Sequence, residues 1–300
     1  MRSSAVGDLL ALAATVFWAG GFVLARGLAG EVPPLALNFW RWVIAAAVVV
    51  PFTVPAVRRD WAAVQQHRRY LLVTAVLGVS VYNTLVYAAG RTTDAVNLSL
   101  IGVCSPIVIL LLARVFGGEP ITVRRLAGIG IAVAGVVVLV TEGSVGRLTS
   151  LTLRSGDVWM LAATVVFGVY SILVRRRPKS VSMSSFVGAT FVAGTVILLP
   201  GYLVEQAVVG GFPATAPVAG GLIYLGVGAS VLAFAAWTAA IDRNGAARPA
   251  IIYYLIPALT AAGAYTFLNE DLGIVQVVSM ALIVGGTALG TSEPSNRQQA

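Results

Sequence analysis

Charge is what this 300-residue chain has least of. Asp, Glu, Lys and Arg together make up 11% of it, while 58% is hydrophobic. Soluble domains are about a quarter charged. A water-soluble fold cannot cover its surface with so few charges, so the composition defines a polytopic membrane protein. Cysteine occurs once. Cys104 lies inside an apolar stretch, which excludes an internal disulfide framework and a Cys-based metal site. Histidine also occurs once, and His67, beside Arg68 and Arg69, reads as a solvated loop residue rather than a ligand. No metal or cofactor is expected. The net charge of +8 by itself suggests a nucleic-acid partner. The basic residues, however, sit in short clusters between apolar segments. They read as topology signals rather than a phosphate-binding face, so no nucleic acid is expected.

What the chain does have is one apolar run after another. A membrane-spanning helix needs about 20 mostly apolar residues. Ten segments qualify, near 9–28, 34–54, 70–90, 94–116, 122–141, 157–175, 184–204, 218–240, 247–268 and 272–291. The predicted fold is an all-α integral membrane protein with ten transmembrane helices embedded in a lipid bilayer. The linkers are short, and only the tail over 293–300 is expected to be disordered.

The segments repeat. Ala95–Glu119 and Ala246–Glu270 align at an offset of 151, matching Ile101 to Ile252, Pro106 to Pro257, Phe116 to Phe267 and Glu119 to Glu270. LAATV occurs at 12–16 and again at 161–165, each time after a Gly-Asp pair. A first segment with an internal copy belongs to the fold, which argues against a cleaved signal peptide. The expected units are 1–145 and 146–292, five spans each. Five is odd, so the second copy enters from the opposite side. This is an inverted repeat, the plan of many secondary transporters.

Basic residues orient it. Of the 20 Lys and Arg, fifteen fall on one side; Arg26, Arg91, Arg147 and Arg154 fall on the other, and Arg41 lies within a span. The bias predicts cytoplasmic N- and C-termini in a bacterial inner membrane.

The early LAATVFWAGGFVLAR, the second-span start NFWRWVIAA and the run GGEPITVRRLAGIGIAVAGVVVL resemble the drug/metabolite transporter superfamily and its EamA-type ten-helix members. NEDLGIVQVVSMALIVGGTALG closes the second half in a similar way. The resemblance covers essentially the whole chain. It implies a carrier of small organic solutes, often an exporter of amino acids or related metabolites, with the aromatic amino-acid exporters a possible subgroup. It also implies a central cavity lined by spans 1, 3, 4, 6, 8 and 9. One departure is that Met183–Phe186 stands where the second copy would carry a match to Arg41.

Polar and aromatic groups inside a membrane are the functional candidates. Trp18, Tyr82, Asn83, Asn97, Trp237, Tyr253 and Tyr254 are the proposed substrate-binding set. Asn83 can equally serve as interhelical glue, which is the preferred reading for Asn97 near a helix end, and the aromatics can serve as packing. Arg41 either meets a substrate carboxylate or snorkels to the interface, with the second reading preferred. Trp40, Trp42, Trp61 and Trp159 read as interface anchors. Pro106 and Pro257 are expected to kink their helices and to act as paired hinges. Asp8, Asp157, Glu119 and Glu270 read as helix caps. No acid is then left at mid-membrane, which points to facilitated transport, exchange or a coupling that involves no buried carboxylate. Gly286 and Gly290 form a GxxxG spacing, for internal packing or for a dimer; monomer and dimer both stay open.

The function these residues support is secondary transport by alternating access. A non-transporting scaffold or receptor is the alternative. An intramembrane enzyme needs a buried acid–base or metal constellation that the spans do not offer.

Overall fold

The structure, a computed structural model, describes residues 5–117, 122–144, 154–244, 249 and 252–291. Among these the chain is all helical. The helices are α1 Ala5–Gly27, α2 Pro34–Arg59, α3 Trp61–Gln66, α4 Arg68–Ala75, α5 Tyr82–Ala89, α6 Ala95–Gly102 and α7 Ser105–Gly117. They continue with α8 Val123–Val140, α9 Ser155–Arg175, α10 Met183–Val209, α11 Ala216–Ile223, α12 Ala233–Asn244, α13 Ile256–Leu268 and α14 Ile274–Thr291. Six helices are long and apolar enough to cross a membrane, and four shorter apolar stretches accompany them. Phe52 is 81% exposed and Phe267 76%, an outer surface suited to lipid and not to water.

Two of the long helices are not regular. A π turn over Val76–Val81 joins α4 to α5, and a second over Tyr224–Leu232 joins α11 to α12. Such turns carry one extra residue and free backbone carbonyls, and they recur at functional sites.

The prolines do something other than kink a continuous helix. The fourth segment is cut at Val103–Cys104, and α7 begins afresh at Ser105 with Pro106 second. The ninth is cut at Tyr254–Leu255, and α13 begins at Ile256 with Pro257 second. Proline is well placed there, because its missing N–H would have no helical partner in a first turn. The backbone bonds at the two breaks correspond at the same offset of 151. Cys104 N–H donates to Ile101 at 3.1 Å, and Leu255 N–H to Ile252 at 3.0 Å.

Every residue of α6 is buried. A helix that is apolar all round belongs inside, and α6 forms the centre of the main core cluster with Leu98, Leu100 and Ile101. α2 packs along α10, and α8 along α14. The second pairing settles the glycine spacing at Gly286. A Cβ there would stand 2.5 Å from the Ala132 backbone nitrogen, and one at Gly135 would stand 3.0 Å from that of Ile283. These glycines serve internal contact between α8 and α14. The side chain at 290, the cap expected at Glu119, the 145/146 boundary and the tail lie outside what the structure describes.

Candidate functional site

A cavity of about 810 Å³ lies among α1, α2, α5, α7, α9, α10, α12 and the two π turns. Its lining stops at Phe22 on α1, Arg41 on α2 and Tyr87 on α5. In the other direction it reaches Val174, Met183 and Ala239, close to the basic linker 175–179 and Arg243.

One wall is aromatic. Trp18 touches Phe234, Trp237 and Tyr253 with ring centroids 5.6, 5.2 and 5.8 Å apart. Its indole N–H donates to the Ala229 carbonyl at 3.2 Å, within the second π turn, which fixes the ring. Tyr82 packs on Phe167 at 5.0 Å. Of the seven expected binding residues, Trp18, Tyr82, Asn83, Trp237, Tyr253 and Tyr254 line this one cavity. Asn97 does not. It is 2% exposed and lies beside the Asp157 carboxylate, deeper in the bundle.

The cavity ends on Arg41, and here the interface reading fails. Arg41 is 9% exposed and points inward. Its Nε donates to Ser230 Oγ at 2.8 Å, and its Nη1 to Asn83 Oδ1 at 2.7 Å and Tyr87 Oη at 2.6 Å. Trp42 is not an interface anchor either. It is 4% exposed, meets Phe191 edge-on at 4.6 Å and lies 5.3 Å beneath the guanidinium. Snorkelling needs a path to the headgroups, and the neighbouring polar oxygens offer the guanidinium a shorter route to satisfaction. Trp40, Trp61 and Trp159 are exposed, at 36%, 54% and 48%.

The π turns set these oxygens. Asn83 Nδ2 donates to the Gly78 carbonyl and Ser230 Oγ to that of Leu225, each five residues back. That acceptor is the one a π turn presents. Asn38 holds the first turn from α2, giving its Nδ2 protons to Val79 O, Ser80 O and Thr84 Oγ1 at 3.1, 2.9 and 2.8 Å. Asn83 is therefore an orienter of Arg41 more than a free hydrogen-bonding group. Asn38 escaped the sequence reading. The available signal was its spacing of three from Arg41, which puts two polar groups on one face of an apolar helix.

Asp8 and Asp157 stand in the first turns of α1 and α9 as expected, but the partners of Glu270, Asp157 and Asp8 lie elsewhere in the chain. Glu270 accepts from Ala95 N–H at 3.1 Å, at the start of α6, and from Arg26 Nε at 3.2 Å. Burial, then the Asp94 charge, push its carboxyl above the usual range. Asp157 accepts from Thr93 Oγ1, and α9 shows no side-chain cap. Asp8 accepts from Asn244 Nδ2 at 2.8 Å. Arg154 pairs with Asp94 and Glu142, each at 2.9 Å. Two further acids cap in trans. Glu205 accepts from Leu35 and Ala36 at the start of α2. Asp60 accepts from Ser182 N–H at 3.1 Å and Ser185 Oγ at 2.8 Å at the start of α10. Hydrogen bonds from Ser182, Arg59 and Ser185 hold the Asp60 carboxyl well below the usual range. The Arg26, Asp94 and Asp157 contacts cluster at the end of the bundle that the cavity does not reach.

Fold and cavity together define a multi-pass membrane protein enclosing a solute-sized chamber, and the sequence comparisons state which kind. The EamA-like transporter family model matches twice, over 5–141 and 154–291, and the chain belongs to that family, within the drug/metabolite transporter superfamily. It is a membrane transporter and not an enzyme. A probable terminal-alkyne amino-acid exporter of Streptantibioticus cattleyicolor is 32% identical over 91% of this chain and 89% of its own. The uncharacterized transporter YyaM of Bacillus subtilis is 24% identical over 93% and 91%. The aromatic amino acid exporter YddG of Ancylobacter novellus is 25% identical over 97% and 98%. One solved crystal structure, 21% identical, superposes with a TM-score of 0.63 over 96% of this chain and 97% of that one. The ties between Asp8 and Asn244, Arg26 and Glu270, Asp94 and Arg154, Glu205 and α2, and Asp60 and α10 each join one matched region to the other.

Proposed function

We propose that this protein is a secondary transporter that exports or facilitates the passage of amino acids or related small metabolites. It works by alternating access in ten spans arranged as two inverted five-helix repeats. The observation that carries the reading is an aromatic cavity lined by both matched regions. It reaches toward the basic ends of the helices, and the Arg26–Glu270 and Arg154–Asp94 ion pairs and the caps from Glu270 and Glu205 tie the opposite ends. With cytoplasmic termini in a bacterial inner membrane, that cavity faces the cytoplasm, the loading side for an exporter. The broken helices α6–α7 and α13, each restarting at Pro106 or Pro257, supply paired hinges about which the halves rock. Amino-acid export also fits the two exporters among the relatives.

The test is counterflow in proteoliposomes across a panel of amino acids, organic acids, sugars and nucleosides. Saturable exchange of any of them is the expected result. No exchange of any would favour a non-transporting scaffold.

A further inference from the structure

Among the described residues, the cavity lining contains one formal charge, Arg41, and no Asp, Glu or Lys. Nε and Nη1 of Arg41 spend their protons on Ser230, Asn83 and Tyr87, three neutral oxygens. No carboxylate among the described residues pairs with it, and Nη2 has no partner there. A guanidinium has five N–H donors and keeps its charge permanently. Two donors therefore remain, with a whole positive charge removed from water and lacking a counter-ion. The Tyr87 hydroxyl accepts from Nη1 and donates to nothing described, so its proton is a third unused donor at the same place. Beyond them lies the aromatic wall of Trp18, Trp237 and Tyr253.

We infer that the site selects organic carboxylates with a flat apolar body, the carboxylate held by Arg41 Nη2 and the Tyr87 hydroxyl and the body against Trp18 and Trp237. This rests on the reading of the cavity as the transport site. It sharpens that reading, because the described lining offers an ammonium group no acid. An amino acid is bound through its carboxylate, and the same body without the amino group binds comparably. A cationic amine of the same shape is rejected, since it loses water and meets the Arg41 charge. Uniform binding of all amphipathic solutes is what a merely apolar chamber would give.

The probes are 3-phenylpropionate, phenylalanine and phenethylamine, which share a ring and chain length. Binding to the purified full-length protein is followed by tryptophan fluorescence. The acid and the amino acid are expected to bind within about tenfold of each other, and the amine at least about 100-fold more weakly. Arg41→Gln should weaken the acid about 10- to 100-fold, as expected for lost charge-assisted hydrogen bonds. Arg41→Lys should lose less, and Arg91→Gln, a substitution at an exposed position, should change nothing. Where Arg41 variants do not fold, Tyr87→Phe keeps the ring and is expected to weaken the acid about 3- to 10-fold. Equal binding of amine and acid, no binding of the acid, or unchanged affinity in folded Arg41→Gln overturns the assignment. Counterflow separates it from the transport reading. Flux without acid preference removes the anion site and leaves the transporter. Acid binding without flux of any solute does the reverse.

Discussion

Replacing Asn38 with alanine removes the two amide protons that hold the first π turn open. Asn38 is fully buried, and its Nδ2 faces three acceptors within 3.1 Å, the Val79 and Ser80 carbonyls and the Thr84 hydroxyl. Two protons can serve two of them at a time. Membrane hydrogen bonds average about 0.6 kcal/mol and reach about 1.7, so the pair is worth about 1–3 kcal/mol. That is about a 5- to 150-fold bias between a held and a relaxed turn. A π turn that relaxes to regular helix shifts one flank by a residue, about 100° of rotation. Asn83 and Tyr87 then leave Arg41 together. Asn38 does not line the cavity, so a loss of transport would act through the turn alone. We expect Asn38→Ala to unfold at lower temperature and to lose most of its flux at matched amounts of folded protein. Thr84→Val leaves both protons with partners and should stay within about 0.5 kcal/mol of the parent. The assay is counterflow paired with thermal unfolding in detergent. Full flux from folded Asn38→Ala would refute the reasoning.

Three other perturbations follow from the ties between the matched regions. Glu205→Ala strips the trans cap from α2, whose own N-cap residue Pro33 offers no side-chain bond. A loss of about 1 kcal/mol is expected in thermal unfolding. Asp60 should govern acid sensitivity at the start of α10. Its carboxyl is held below the ordinary aspartate value of 3.8 in the folded chain, so the unfolded chain takes up the proton first. Its contribution is complete above that value and fades as pH falls beneath it. The melting temperature of Asp60→Asn should therefore be flatter below pH 4 than that of the parent, and parallel curves would contradict this. Gly286→Leu places a side chain where a Cβ alone already meets the α8 backbone at 2.5 Å. It should sharply reduce the monodisperse folded yield on gel filtration, and a normal yield would show that α8 and α14 can part freely.

Much of this protein was legible without coordinates. So few charges can cover only a surface that faces lipid, and that much is fixed by composition. The positions of Pro106 and Pro257 and the aromatic residues that line the cavity are spacings and residue types, and both survive translation into one dimension, although the kinks expected at the prolines are breaks. The roles of individual polar residues did not survive it. Arg41 near the start of a span looks like a snorkelling side chain, because sequence records depth along a helix and not which way the helix faces. Trp42 misled for the same reason. Glu270, Asp157 and Asp8 looked like local caps, yet their partners lie 175, 64 and 236 residues away. The π turns left no signature, since one extra residue in a run of Gly, Val and Ser alters neither hydropathy nor length. Only packing decides whether it is absorbed. Composition and pattern thus determined the class, the run of apolar helices and most of the aromatic cavity wall. The tertiary structure decided that the cavity ends on a positive charge with no carboxylate partner among the described residues, because a counter-ion is a property of a neighbourhood and not of any residue.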